Sequence, residues 1–74
     1  MQRRTLQLEI VGLSDHESVQ RATEAIRNNT GVESARVSLE NGRATVDVVR
    51  GYTLEHILES LESAGFMARP AEED

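Results

Sequence analysis

Ala35-Arg36-Val37-Ser38-Leu39-Glu40-Asn41-Gly42-Arg43-Ala44-Thr45-Val46-Asp47-Val48 is the stretch on which the fold turns. Two runs of alternating apolar and polar residues flank Asn41-Gly42, and both residues of that dipeptide tolerate the positive φ that a two-residue hairpin turn demands. Such a turn predicts Glu40 opposite Arg43, followed by Leu39 opposite Ala44, Ser38 opposite Thr45, Val37 opposite Val46, Arg36 opposite Asp47 and Ala35 opposite Val48. Every apolar pair then shares one face, while the other face receives two opposite-charge pairs and a hydroxyl pair. A slip of one residue would mix the two sets.

Upstream, Thr5 to Val11 alternates with Leu6, Leu8 and Ile10 on one face, which is the period of a half-buried strand. Gly12 ends it. Ser14 followed by Glu17 matches a capping box, in which each side chain takes a backbone N–H left orphaned at a helix start, so a helix is expected from about Asp15. Val19, Ala22 and Ile26 form its apolar stripe, with Ala25 beside it. Asn28-Asn29-Thr30-Gly31 supplies residues that tolerate left-handed geometry, as a helix C-terminus often needs.

Downstream, Thr53 is a second N-cap candidate, and Leu54, Ile57, Leu58, Leu61 and Ala64 make a broader helical stripe. Gly65 is placed to end that helix, Phe66 to Arg69 reads as a short last strand, and Pro70 stops it. The acidic residues 71–74 are expected to be a disordered tail. The order is β-α-β-β-α-β. Right-handed crossovers then place both helices on one face of one four-stranded antiparallel sheet, an α+β sandwich of the ferredoxin-like class. A single domain is expected over residues 1–74, with residues 5–70 as its folded core. The open sheet face would carry Gln7, Glu9, Arg36, Ser38, Thr45 and Asp47, with no aromatic platform of the kind RNA-recognition strands use.

The chain has 74 residues, no cysteine and a net charge of -5. Without cysteine there is no disulfide, no thiolate metal site and no thiol catalysis, so aliphatic packing alone must hold a small core. The negative charge argues against a nucleic-acid partner, whose affinity comes from Lys and Arg neutralising phosphates. No apolar run is long enough for a membrane span, and no signal peptide is visible, so the expected compartment is the cytoplasm. No nucleophile with an evident base and no phosphate-cradling glycine cluster occurs, which speaks against an enzyme.

With these elements in order, the chain resembles the heavy-metal-associated domain family, the small fold of copper chaperones and of the N-termini of metal-pumping ATPases. The residues that carry the resemblance are Leu6 to Val11 ending in Gly12-Leu13, the segment Gly31 to Leu39, Ala44-Thr45-Val46, and Leu61-Glu62-Ser63-Ala64-Gly65-Phe66. The family's loop reads Gly-Met-x-Cys-x-x-Cys. In this chain Leu13 stands at the Met position, Asp15 at the first cysteine and Ser18 at the second. The resemblance implies a binding loop made of Gly12, Leu13, Ser14 and Ser18, with Phe66 packed near it.

A carboxylate and a hydroxyl are hard ligands, whereas soft ions such as Cu(I) select sulfur. The expectation is therefore a non-catalytic docking or regulatory module, monomeric, with a protein partner, with metal binding lost or much weakened and no required cofactor. One alternative keeps a weakly bound divalent metal ion on Asp15 and His16, since zinc, nickel and cobalt accept imidazole and carboxylate. Another is a small-molecule-sensing regulatory domain of the same topology. Tyr52 is expected as a partly buried loop residue, and His56 on the solvent flank of the second helix, outside the site.

Overall fold

The computed structural model describes residues 3–49 and 51–71. Its elements are β1 (Arg3–Val11), α1 (His16–Arg27), β2 (Val32–Ser38), β3 (Arg43–Val49), α2 (Leu54–Ser63) and β4 (Met67–Pro70). The strands form one sheet in the order β2-β3-β1-β4, every neighbouring pair antiparallel. This is the ferredoxin-like arrangement the sequence predicts.

Alternation builds the core. Leu8 and Ile10 of β1 and Ala44, Val46 and Val48 of β3 point to the same side, where Ala22 and Ile26 of α1, Ile57 and Leu61 of α2, and Phe66 close over them. All ten are buried, and five of those side chains come from the two central strands. Burial of this aliphatic surface is the main favourable term for the fold, since no cross-link assists it. The opposite sheet face is polar, with Asp47 accepting from Thr5 at 2.8 Å and Ser34 at 2.9 Å, and Glu9 lying between Arg69 at 3.0 Å and Arg43 at 3.7 Å.

The hairpin differs from the expectation by two residues. Ser38 pairs with Arg43, Val37 with Ala44, Arg36 with Thr45 and Ala35 with Val46, and the register then shifts between Val32 and Ser34. A two-residue turn of the expected type needs positive φ at both central residues, yet only Gly42 has it, at 64°. The connection is instead the four-residue loop 39–42, tied by Gly42 N–H to the Ser38 carbonyl at 3.0 Å and by Asn41 N–H to Ser38 Oγ at 3.4 Å. The expected pairs Glu40–Arg43 and Arg36–Asp47 do not form. Arg43 turns across the sheet to Glu9 instead.

Helix α1 also ends differently. None of the described residues other than glycine has positive φ, so no left-handed residue terminates it. Asn29 does so with its side chain: Nδ2 donates to the carbonyls of Ile26 at 3.0 Å and Ala25 at 3.3 Å, satisfying acceptors the helix leaves open. Its Oδ1 accepts from the Tyr52 hydroxyl at 2.6 Å, which joins the end of α1 to the approach to α2. Tyr52 is half-buried, as expected. Its ring lies so close to Gly31 that a Cβ there would sit 2.1 Å from Cδ1. Beyond β4, Ala71 N–H donates to the Gln7 carbonyl at 2.9 Å. The rest of the acidic tail, residues 72–74, lies outside the described residues.

Candidate functional site

The loop between β1 and α1 starts with Gly12 at φ 109°, a conformation side chains with a Cβ rarely adopt. A Cβ there would stand 3.5 Å from Cδ1 of Phe66, an ordinary contact, so it is the positive φ that calls for glycine. Leu13 is half-buried and packs against the core cluster. The chain then enters α1 through Asp15, whose extended φ of -157° and ψ of -177° mark it as the N-cap.

Asp15 and Ser18 cap the helix reciprocally. Asp15 Oδ1 accepts from Ser18 N–H at 2.9 Å, while Ser18 Oγ accepts from the N–H groups of Asp15 at 3.0 Å and Ser14 at 2.9 Å. The Ser18 hydroxyl donates to the Asp15 carbonyl at 2.7 Å. The capping box is thus present but one residue later than Ser14–Glu17. Asp15–Ser18 takes three backbone donors, one more than the expected pair could satisfy, and Glu17 stays exposed in the first turn. Ser18 is only 6% exposed and continues the inward stripe of Ala22 and Ile26 at intervals of four.

The electrostatics follow from this geometry. The backbone N–H and then the hydroxyl of Ser18 hold the Asp15 carboxyl below its ordinary value of 3.8, opposed by desolvation and assisted to a smaller degree by electrostatic interaction with His16 and Arg21. Hydrogen bonds to the charged form favour it. His16 is exposed at the first helical position. Among the described residues, no three His, Cys, Asp or Glu side chains come together in a group able to hold a metal ion.

Phe66 is 4% exposed and forms the wall behind Gly12. It is fixed by the end of α2, where Phe66 N–H donates to the Leu61 carbonyl at 2.9 Å and Gly65 N–H to Glu62 at 3.0 Å, with Gly65 at φ 97°. Arg21 crosses over from α1, its guanidinium 5.4 Å above the Phe66 ring and its Nη2 donating to the Ala64 carbonyl at 3.1 Å. A cation over an aromatic face and against a helix C-terminus is favoured on two counts. Sequence reasoning missed Arg21, because an exposed arginine on a helix carries no local signal of a contact 43 residues away.

The sequence over residues 7–67 matches the heavy-metal-associated domain family. This chain belongs to that family. Among solved structures, the copper-binding domain of HMA7, a P-type ATPase, is 30% identical, with a TM-score of 0.89 over 96% of this chain and 97% of that one. The N-terminal domain of PacS from Synechocystis PCC6803 is 25% identical, with a TM-score of 0.86 over 93% of this chain and 98% of that one. Oxidized MerP from Ralstonia metallidurans CH34, at 18% identity, shares the fold with a TM-score of 0.90 over 96% and 100% of the two chains. No curated protein sequence matches the chain.

As a heavy-metal-associated domain, the chain keeps the metallochaperone-like scaffold and has no cysteine. Asp15 and Ser18, the residues that the resemblance sets against the family's two cysteines, are bonded to each other. The structure brings Gly12, Leu13, Ser14, Asp15, Ser18 and Phe66 into one loop and its backing wall. His56 lies elsewhere, with Nδ1 2.6 Å from Thr53 Oγ1 and its ring stacked obliquely on Tyr52 at a centroid distance of 5.2 Å. Thr53 spends its hydroxyl there and makes no side-chain hydrogen bond to cap α2, although it occupies the N-cap position.

Proposed function

We propose that this heavy-metal-associated domain is a non-catalytic docking or regulatory module whose metal binding is lost or much weakened. The observation that supports it is the reciprocal Asp15–Ser18 cap. In a thiolate loop, two ligand side chains face a shared ion. Here the corresponding side chains bond each other and the helix start, so the loop is complete without one. Asp15 gains further stabilisation as an anion from backbone donors, which compete with any cation for its charge.

The partner is a protein. Solved relatives include a domain of a P-type ATPase and CopZ, described as a metallochaperone, so the scaffold occurs both inside a larger protein and in a carrier. The module acts as a monomer in the cytoplasm. No helix among the described residues is long and apolar enough to cross a membrane.

Titration with Cu(I) and with Zn(II), followed by amide shifts of Gly12 to Ser18, tests the reading. Small, non-saturating shifts are expected. Tight one-to-one binding centred on Asp15 or His16 would overturn it, and loss of that binding on His16→Ala would assign the ion to the imidazole.

A further inference from the structure

Where the edge of β4 meets α2, a groove of about 350 Å³ is lined by Glu55, Leu58, Glu59, Glu62, Met67 and Ala68. The groove is open, and Leu58, Met67 and Ala68 supply its apolar surface. Met67 is 71% exposed, and Val11, paired with it across the sheet, is 58% exposed. A flexible thioether at such a spot can adapt to an incoming apolar surface.

The rim is acidic. Glu55, Glu59 and Glu62 recur at i, i+4 and i+7, so they stand in one row of about 10 Å along α2. Helix α2 carries no Lys or Arg, and none of the three carboxylates is paired with a cation among the described residues. Glu9, on the open sheet face, is paired instead with Arg43 and Arg69. A second copy of this chain meeting this one groove to groove would bring like charges together, which disfavours that symmetric pairing. An added strand is also a poor fit, because β4 has four residues and its last, Pro70, has no N–H to offer.

We propose that the groove docks an amphipathic helix of a partner protein, with Lys or Arg at i, i+4 and i+7 beside a stripe of Leu or Met. Laid along α2, such a helix matches the three carboxylates one for one, while its apolar stripe covers Leu58, Met67 and Ala68. The inference rests on the docking-module reading and names the surface that reading requires.

The test uses the full chain labelled for amide detection and a synthetic amphipathic helical peptide with lysines in that row and leucines beside it. Saturable shifts confined to α2 and β4 are expected, with Gly12 to Ser18 unmoved. The exposed triple variant Glu55→Gln, Glu59→Gln, Glu62→Gln should bind about tenfold more weakly at low salt. Met67→Gln should weaken binding even in high salt, where charge pairing is screened. Shifts spread evenly over the surface, shifts on the open sheet face, or a triple variant that binds like the parent would each overturn the proposal. Metal titration reads the other claim separately. Tight Cu(I) binding refutes the loss of metal chemistry whatever the peptide does, and a silent groove refutes this surface whatever the metal does.

Discussion

Gly31→Ala is expected to be among the most damaging small substitutions in the chain, and the reason is one ring. Gly31 does not have positive φ, so the backbone itself accepts alanine. The obstacle is Tyr52, whose Cδ1, Cγ and Cε1 would lie 2.1, 2.4 and 2.7 Å from the new Cβ. Ordinary carbon contacts are about 3.5 to 4.0 Å, so the ring must retreat by roughly 1.5 Å. That movement breaks the 2.6 Å hydrogen bond from its hydroxyl to Asn29 Oδ1. Overpacking of this kind costs about 1–3 kcal/mol and the hydrogen bond about 1 kcal/mol more. For a chain of this size the melting temperature should fall by roughly 10–25 °C. Urea denaturation of Gly31→Ala, Tyr52→Ala and the double variant measures the coupling. In the Tyr52→Ala background the clash is gone, and alanine should be neutral or stabilising by about 0.4–1 kcal/mol through the unfolded chain. Equal cost of Gly31→Ala in both backgrounds would refute the reasoning.

Other outcomes follow from the loop. Ser18→Ala removes the acceptor of two N–H groups and should cost about 1–2 kcal/mol, with faster amide exchange at Ser14 and Asp15, whereas Glu17→Ala should stay within about 0.5 kcal/mol. Equal effects in a denaturation series would restore the Ser14–Glu17 box. The carboxyl of Asp15 titrates lower in the folded chain than in the unfolded one, so its stabilisation is full above the ordinary value of 3.8 and disappears as pH falls through the folded value. The stability difference between the parent and Asp15→Asn should therefore be flat from pH 7 to 5 and shrink in acid, and a difference that grows in acid would contradict the direction. Asp15→Cys with Ser18→Cys should bind one Cu(I) per chain, detected by competition with a colorimetric chelator, and raise the melting temperature only when metal is present. Failure to bind would mean that the loop backbone differs from the family's.

The element order was legible because strands and helices imprint different periods, and every expected element is present. The hairpin register was not, and its error has a definite form. Shifting a strand by two residues keeps each side chain on its own face, so hydrophobic alternation is blind to an even slip, and only turn chemistry can decide it. Asn41-Gly42 suggested a two-residue turn, but Gly42 alone takes positive φ and closes a longer loop. The helix start shows a similar degeneracy. Ser14-Asp15-His16-Glu17-Ser18 holds two overlapping capping boxes one residue apart, and the sequence offers no means of counting how many backbone donors each would satisfy. Arg21 over Phe66 and Tyr52 against Gly31 were invisible for a third reason, since each joins elements far apart in the chain.

The two surfaces considered for this domain share a border and no essential side chain. Val11 directly precedes Gly12 and pairs with Met67, which directly follows Phe66, so the α2–β4 groove runs up to the wall of the loop. The loop depends on Asp15, Ser18 and Phe66, whereas the groove depends on the Glu55–Glu59–Glu62 row and Met67. Arg21, bonded to the Ala64 carbonyl and lying over Phe66, ties the end of α2 to α1 on the loop side, away from the groove. Replacing thiolates by a self-satisfied cap therefore alters the loop's chemistry while leaving the scaffold beneath the groove in place. That separation is the physical basis on which the proposed docking can be tested independently of the loop's metal chemistry.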